Sequence, residues 1–295
     1  VDGWAGYFPI RHDNGSNLDP TLILNWLKEQ LSTDCDKVFH NAMYDVGWLR
    51  REGVEVKGEI KDTLIAAPLL DENRFSYSLN ALAKTYTASS KNEKILRAAA
   101  QEWGIDAKGE MWKLPAMYVG PYAEQDAKAT LELWKVLKRD IEKNDLNFIL
   151  ELELSLLPLL LEMRWRGVRV DLEKAERIQK DLEIREKNIL RKIKKQYNRD
   201  VEIWNSRSIS EVFDKAKISY DYTEKTKAPK IDRAFLQSHP HELPRMILEA
   251  RELNKSNTTF INSILRYQHN GRIHGEIHPL RSDAGGTVSG RFSYS

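Results

Sequence analysis

Alternating strand and helix patterns in the first half of the chain constrain its fold more than any other feature. Short apolar runs typical of buried strands are each followed by apolar residues at helical spacing. Such alternation is typical of α/β proteins, in which helices cover a mostly parallel sheet. The sequence therefore predicts a three-layer α/β domain over residues 1–140. Its predicted strands are Ala5–Ile10, Lys37–His40 and Ile60–Thr63, and its predicted helices begin at Pro20, after Asn41, at Leu64 and at Ser78.

The pattern changes after Asp140, where strand patterns become rare and helical patterns dominate. A nearly continuous helical pattern runs to Gly167, and a second, highly charged helix is predicted over Leu172–Tyr197. Because its apolar seam is thin, this second helix should pack shallowly, as a protruding helical arm would. Near the end of the chain, Gly271–Pro279 alternates apolar and polar residues, which predicts an antiparallel strand.

Composition excludes several classes of protein. The 46 Lys and Arg residues and 44 Asp and Glu residues leave a net charge of +2, so any basic surface for a polyanion must be local. The single cysteine, Cys35, excludes an internal disulfide and a multi-cysteine zinc site, and it fits a reducing cytoplasm. No apolar run reaches the length of a membrane-spanning helix, so we expect no membrane partner. Since the chain begins without Met and within a pattern, we expect it to be a fragment of a longer protein.

A tyrosine and an aspartate one helical turn apart are the first candidates for chemistry. Tyr122 and Asp126 share one face of a helix predicted over Tyr118–Leu137, with Pro121 in its first turn. The carboxylate can hold a hydrated divalent cation while the phenol orients an attacking water. The alternative is a solvated acid beside a half-buried aromatic ring, and the spacing alone leaves both open. An apolar stripe that would pack this helix on a sheet comprises Ala127, Thr130, Leu131, Trp134 and Leu137.

Further polar candidates lie at a strand end and in the helical region. Asp45 follows the end of a predicted strand, where open α/β sheets bind their ligands. The basic run 191–195 either complements the dipole at a helix C-terminus or contacts a phosphate backbone. Lys255, Asn257 and Thr258 are suited to phosphate oxygens, but they could equally form a solvated face.

Taken together, these motifs resemble the family A (polymerase I-like) DNA polymerases. HNAMYDVGWL, from His40, resembles the second motif of that family's 3′–5′ exonuclease domain, with Asn41 and Asp45 at the matching places. YAEQDAKATLEL resembles the third motif, with Tyr122 and Asp126 matching. Asp62 resembles a family position that supports the site rather than binding metal. The resemblance implies a ribonuclease H-like, three-layer exonuclease fold over residues 1–140, with its first strand missing.

The remainder of the chain resembles the polymerase module of the same family. MRWRGVRVDLEK resembles the segment that joins the two modules, ILEARELNKSNTTFINSI a thumb helix, and GRIHGEIHPLRSDAGGTVSGRFSYS the start of the palm. The last stretch carries the signature T-x-x-G-R-x-S as Thr287, Gly290, Arg291 and Ser293. The resemblance implies a connecting helix over residues 141–171, a mostly α-helical thumb over 172–268 and the first palm strands over 269–295.

The resemblance also implies a function. Two Mg²⁺ or Mn²⁺ ions would serve hydrolysis of the primer 3′ terminus, with Asp45 and Asp126 as ligands, Tyr122 aligning the attacking water and Asn41 supporting Asp45 or the substrate. The implied partners are primer–template DNA, a single-stranded 3′ end and, in the full-length parent, dNTPs, and the parent is expected to be a cytoplasmic monomer. The primer–template backbone would be held by Lys255, Asn257, Thr258, Thr287, Gly290, Arg291 and Ser293.

Two departures from the family pattern limit what this chain alone should do. The family's first exonuclease motif is an Asp-x-Glu pair, and none precedes Ala5, since Asp2 stands alone and too close to that strand. The catalytic aspartates of the palm would lie beyond Ser295. We therefore expect weak metal binding, poor cleavage and no polymerase active site. Two rival hypotheses are a free-standing nuclease of the ribonuclease D type and an inactive DNA-binding module with an exonuclease-like core.

Overall fold

The computed structural model describes residues 3–87, 93–283 and 285–294, and these form two compact units. The first unit contains Val1–Arg166 together with Gly275–Ser295, and the second contains Gly167–His274. These boundaries differ from the predicted ones, because leucines of residues 147–166 and Ile277 are buried in the core of the first unit. In the part of the chain that the structure describes, no helix is both long enough and apolar enough to span a membrane.

The first unit is an α/β arrangement built on two short parallel strands. Lys37 lies opposite Ile60, and Phe39 lies opposite Asp62. Asp19 begins the first helix, since its carboxylate accepts hydrogen bonds from the backbone N–H groups of Thr21 and Leu22. The elements in order are α1 (Pro20–Leu31), β1 (Lys37–Phe39), α2 (Ala42–Arg51), β2 (Ile60–Asp62), α3 (Thr63–Leu70), α4 (Leu79–Tyr86), α5 (Lys94–Trp103), a 3₁₀ turn (Met111–Lys113), α6 (Ala116–Lys143) and α7 (Asn147–Arg166).

The core of the first unit lies where α3, α4 and α7 pack against α6. Leucines are its main component, and full burial of each such side chain contributes about 1.5–3 kcal/mol. The C-terminal segment adds Ile277 to the same core. The most deeply buried large side chains of the core are Tyr77, Leu82, Leu133, Leu137, Ile141, Leu157 and Leu160.

The prediction of a strand at Ala5–Ile10 is wrong. These residues have no strand structure, and the ring of Phe8 instead lies 4.8 Å from that of Trp26 and 6.0 Å from that of Trp4, measured between centroids. The Leu18 N–H donates to the Pro9 carbonyl at 2.7 Å and closes the following turn. An apolar run becomes a strand only where a neighbouring backbone pairs with it, and aromatic packing holds this run instead.

Helix α6 is longer at its N-terminus than predicted. It begins at Ala116 after the N-cap Pro115, so Pro121 lies inside the helix and not in its first turn. The apolar stripe is also rotated: Thr130, Trp134 and Leu137 are buried as predicted, but Ala127 is exposed. Ala129 and Leu133 take its place on the buried face, because α3 and α4 cover that side of α6.

The second unit is mostly helical, as predicted. Helix α8 spans the predicted residues and buries only Ala175 and Ile193 fully, which confirms its thin seam.

The predicted strand Gly271–Pro279 is interrupted, because its two halves pair with different partners. The elements are β3 (Val168–Arg169), α8 (Leu172–Tyr197), α9 (Ser206–Lys215), α10 (Arg233–Ser238), α11 (Glu242–Lys255), a π-helical segment (Ser256–Ile261), α12 (Asn262–Tyr267), β4 (Gln268–His269) and β5 (Arg272–Ile273).

Three antiparallel pairings, in two small sheets, account for the C-terminal strands. Within the second unit, β5 pairs with β3 and with β4. Within the first unit, β6 (Ile277–His278) pairs with β7 (Ser293–Tyr294). The core of the second unit gathers side chains from α8, α9, α10 and α11, including Ile193, Ile209, Phe213, Leu236 and Ile247.

Candidate active site

Asp62 holds the beginnings of two helices. Its Oδ1 accepts hydrogen bonds from the N–H groups of Asn41 at 3.0 Å and Leu64 at 2.8 Å, and its Oδ2 accepts from Ala42 at 2.7 Å. The side chain is 2% exposed, and this burial raises the pKa of Asp62 while the backbone N–H donors oppose the rise. Because backbone donors occupy both oxygens, Asp62 organises the start of α2 and α3 and is a poor candidate for a metal ligand.

Asp45 lies in the first turn of α2, close to Asp62. Burial, and secondly the negative charge of Asp62, raise the pKa of Asp45 to about 6. The carboxylate is half-buried, so it is poorly solvated but still reachable from the surface. A desolvated carboxylate near a second negative charge favours a bound cation or a proton, which is the electrostatic character of a metal ligand.

The turn before α2 is fixed by several polar contacts. Asn41 adopts a left-handed backbone conformation with φ of 76°, which asparagine tolerates better than most residues, and its side chain is exposed. The Thr63 hydroxyl donates to the Phe39 carbonyl at 3.1 Å, so His40 Nδ1, 2.8 Å from the same hydroxyl oxygen, acts as a donor. These bonds join the end of β1 to α3 and hold Asn41 at the strand end.

Tyr122 and Asp126 form a hydrogen-bonded pair on α6. Both side chains are half-buried, and Tyr122 packs against a small apolar cluster that includes Leu96 and Val119. Burial raises the pKa of the Tyr122 phenol first, and the charge and hydrogen bond of Asp126 raise it further. The phenol therefore stays protonated at neutral pH and donates to the carboxylate. The predicted one-turn stacking of the two groups is confirmed.

The site thus contains two pairs of interacting side chains. Asp45 lies within the electrostatic influence of Asp62, and Tyr122 is hydrogen-bonded to Asp126. Within residues 3–87, 93–283 and 285–294, no group of three or more His, Cys, Asp and Glu side chains is arranged to hold a metal ion. Since Mg²⁺ prefers an octahedral shell of oxygen ligands, Asp45 and Asp126 fit a divalent ion only as part of its ligand set. Asp2, the isolated acid near the first predicted strand, lies outside the described residues.

The three candidate phosphate contacts around the π-helical segment differ in exposure. Lys255 and Thr258 are exposed, and the Thr258 hydroxyl donates to the Asn254 carbonyl at 2.8 Å. The Asn257 side chain is only 6% exposed, and its Oδ1 has no hydrogen-bond partner among the described residues. Asn257 is therefore not the surface group that the sequence indicated, because the wider π-helical turn directs its side chain inward.

The basic run at the end of α8 is largely engaged within the second unit. Lys192 forms an ion pair with Glu242, and Lys194 lies 2.9 Å from Asp200. Arg191 donates to the Asn188 side-chain oxygen at 3.3 Å. Local ion pairs of this kind account for much of the run without a phosphate backbone.

The loop that carries the T-x-x-G-R-x-S signature is closed by its own side chains. The Thr287 hydroxyl donates to the Arg291 carbonyl at 2.7 Å, and the Gly286 N–H donates to the Ser293 hydroxyl at 3.0 Å. Gly290 has φ of +70°, a conformation that favours glycine. Thr287, Gly290 and Ser293 therefore shape the loop, and Arg291 presents an exposed cation.

Sequence reasoning missed the side chains that support Asp45 from a distance. The double role of Asp62 has only a local signal, an aspartate directly before a helical pattern. Arg164 of α7 donates to the Met43 carbonyl of α2 at 3.0 Å, and no motif links two residues so far apart in the sequence. A cavity of about 320 Å³ beside this region is lined by Asn41, Asp62, Tyr77, His278 and Asp283, among others.

Comparison with known proteins identifies a family that matches the first part of the chain. Residues 5–142 match a family described as 3′–5′ exonuclease, whose family name places it in DNA polymerase A. A DNA-directed DNA polymerase of Pseudomonas phage M6 is 35% identical over 286 residues, an alignment that covers 95% of this chain and 43% of the relative. DNA polymerase DpoZ of Acinetobacter phage SH-Ab 15497 is 29% identical over 318 residues, an alignment that covers 99% of this chain and 50% of the relative.

A solved structure has the same fold. It is the POL domain of Pol1 from M. smegmatis in complex with DNA primer-template and dNTP, and it matches with a TM-score of 0.68 at 20% identity. The match covers 95% of this chain and 45% of that chain. The chain spans about half the length of the curated relatives it matches, and the similarity extends well beyond residue 142.

Proposed function

Because this chain belongs to the family A (polymerase I-like) DNA polymerases, we propose that it supplies the proofreading half of such an enzyme. Residues 1–140 are a ribonuclease H-like, three-layer 3′–5′ exonuclease domain, 141–171 a connecting helix, 172–268 the thumb and 269–295 the start of the palm. The parallel pairing of β1 with β2 supports an α/β exonuclease domain, and the helical second unit, Gly167–His274, supports a helical thumb. Its partners are primer–template DNA and dNTPs. The parent enzyme is a monomer that acts in the cytoplasm of a bacterium or of a phage-infected cell.

The reaction is hydrolysis of the terminal phosphodiester at a single-stranded 3′ end. Asp45 and Asp126 bind divalent ions, Mg²⁺ or Mn²⁺, together with further carboxylates. Asp45 and Asp126 would hold part of the ligand shell of such ions, which would supply Lewis-acid activation of the attacking water and charge stabilisation at the leaving 3′-oxygen. Tyr122 orients that water, since the raised pKa of its phenol keeps the O–H proton in place. Asn41 supports the substrate from the strand end.

The observation that carries this proposal is Asp45 itself. It is a half-buried carboxylate with a raised pKa, at the start of the helix that follows β1, inside the region that matches the exonuclease family. Groups with strongly shifted pKa values concentrate at functional sites.

Degradation of a single-stranded 3′ end with Mg²⁺ tests the assignment in the protein that carries this chain. Asp126→Ala and Asp45→Asn should each lower the rate by about 100-fold or more, because a displaced or missing ligand misplaces the reacting groups. Primer extension should remain largely intact. Asp34→Asn, which changes an exposed aspartate in the same unit, is the matched control and should leave both rates unchanged. Retained degradation with loss of extension contradicts the proposal.

Two surfaces hold the primer–template backbone in this proposal, one in each unit. In the second unit, Lys255 and Thr258 contact phosphates through exposed groups, whereas the buried Asn257 amide reaches DNA only if the π-helical segment rearranges. In the first unit, Arg291 contacts phosphate on the loop shaped by Thr287, Gly290 and Ser293. Contacts of this type position a duplex without reading its sequence.

A second candidate function is an inactive DNA-binding module with an exonuclease-like core. It is favoured by one observation, that the described residues contain no three-ligand metal group. The same nuclease assay separates the two candidates, since the inactive module binds primer–template DNA but leaves its 3′ end intact.

A further inference from the structure

The first turn of α2, which presents Asp45, is held from its N–H side by Asp62. The N–H groups of Asn41 and Ala42 both donate to the Asp62 carboxylate. Within the turn, the Tyr44 N–H donates to the Asn41 carbonyl at 2.9 Å. These bonds hold the N–H groups at the start of the helix, which have no acceptor within the helix itself.

Arg164 supplies the contact on the carbonyl side. Its Nη1 donates to the Met43 carbonyl at 3.0 Å, two residues before Asp45. A carbonyl oxygen has two lone pairs, so it can accept from a guanidinium in addition to a helical N–H. The first turn of α2 is therefore held between a carboxylate on one side and a guanidinium on the other.

The guanidinium is in turn held by Glu276. Arg164 Nη2 lies 2.6 Å from Glu276 Oε1, in the segment that leads into β6. The side chain of Arg164 is 27% exposed and that of Glu276 is 52% exposed, so the ion pair is partly solvated. Its contribution is orientation more than binding energy, because exposed ion pairs are weak.

The segment that carries Glu276 is itself anchored on the first unit. Ile277 is buried in the core of that unit. Farther along, Asp283 accepts from the Ser76 hydroxyl at 2.7 Å and from the Tyr77 N–H at 2.6 Å. Glu276 therefore starts from a fixed position and does not follow a loose terminus.

We propose that Arg164 is a positioning residue for Asp45, and that Glu276 orients its guanidinium. The inference rests on the proposed nuclease function of Asp45 and deepens it. Without the bond to the Met43 carbonyl, the first turn of α2 loses its hydrogen bond to α7, and Asp45 gains freedom to shift. Misplacement of a catalytic group by about 1 Å can lower a rate by about 100-fold, so a small shift is enough to be measured.

Arg164→Met tests this by removing the donor while keeping much of the side-chain volume. The matched control is Arg166→Met, which changes an exposed arginine on the same helix, 3.6 Å from Glu162. We expect kcat for 3′-end degradation to fall about ten-fold in Arg164→Met with KM within about two-fold, since the loss is in positioning and not in substrate binding. Arg164→Lys should restore most of kcat, because an ammonium can donate to the same carbonyl. Arg166→Met should match the wild type.

Amide hydrogen exchange supplies a readout that does not depend on nuclease activity. We expect the amides of residues 42–45 to exchange about ten-fold faster in Arg164→Met than in Arg166→Met, because the turn opens more often. Equal exchange in these two variants overturns the inference, as does equal kcat in an active enzyme. If the wild type and Asp45→Asn degrade DNA equally, the proposed nuclease function fails, and the exchange comparison alone decides the role of Arg164.

Discussion

Replacement of the Asp45 carboxylate by an amide should make the first unit more stable at neutral pH. Burial and the charge of Asp62 raise the pKa of Asp45 from 3.8 to about 6. The folded state therefore binds the Asp45 proton more tightly than the unfolded chain does, and ionisation above that pKa costs stability. A shift of about two pKa units corresponds to about 3 kcal/mol at 1.36 kcal/mol per unit.

The pH dependence has a definite sign. Below pH 3.8 both states carry the neutral acid, so the ionisation cost is absent. Between pH 3.8 and about 6 the cost grows, and above about pH 6 it is fully present. Asp45→Asn removes the charge at every pH. Its free energy of unfolding should therefore exceed that of the wild type by up to about 3 kcal/mol at pH 7 and by little at pH 4.

Urea unfolding of the wild type and Asp45→Asn, repeated at each pH unit from 4 to 8, measures this difference. The midpoint should move to higher urea in the variant, and the displacement should grow between pH 4 and 7. Asp34→Asn removes an exposed carboxylate and should change the free energy of unfolding by less than about 0.5 kcal/mol. A variant that is no more stable than the wild type at pH 7, or an advantage that is constant from pH 4 to 8, refutes the reasoning.

Two further substitutions test how the backbone of the first unit is held. Asp62→Ala leaves the N–H groups of Asn41, Ala42 and Leu64 without their acceptor, and loss of two helix caps and burial of unsatisfied donors should cost about 2–4 kcal/mol in urea unfolding; a cost below about 1 kcal/mol would contradict this. At Gly286, φ is +93° and an added Cβ would lie 2.1 Å from the Leu280 carbonyl oxygen, so Gly286→Ala should lower the melting temperature clearly. Gly47→Ala, at a helical site where an added Cβ meets nothing within 4 Å, is its control and should raise stability by about 0.5–1 kcal/mol; equal effects of the two would be evidence against strain at Gly286.

Local signals in the sequence identified most helices because their causes are local. Asp19 and Pro20 start α1 as an N-cap and first-turn proline should, and α8 begins and ends where its apolar seam predicts. The strand predicted at Ala5–Ile10 failed because a strand depends on a partner elsewhere in the chain. Periodicity likewise gave no warning of the π-helical segment, in which one extra residue per turn directs Asn257 inward.

In the candidate site, too, contacts within one helix could be predicted from the sequence, whereas contacts between distant residues could not. The Tyr122–Asp126 pair could be predicted because both residues lie on one helix, one turn apart. The contact between Arg164 and the Met43 carbonyl could not be predicted, since the two residues lie 121 positions apart in the sequence. The raised pKa of Asp45 also depends on tertiary structure, because it comes from burial and from the charge of Asp62 at the end of β2.

The bonds of Asp62 have a practical consequence for anyone who wishes to abolish the proposed nuclease activity. One side chain ends a strand, starts two helices and sets the electric field at Asp45, so any change there alters folding and chemistry together. A defect seen after mutating Asp62 would not reveal which of the two had been lost. Asp45 lies within α2, beyond the residues whose N–H groups Asp62 accepts, and it is the position at which we expect the proposed catalysis to be abolished while the scaffold is kept.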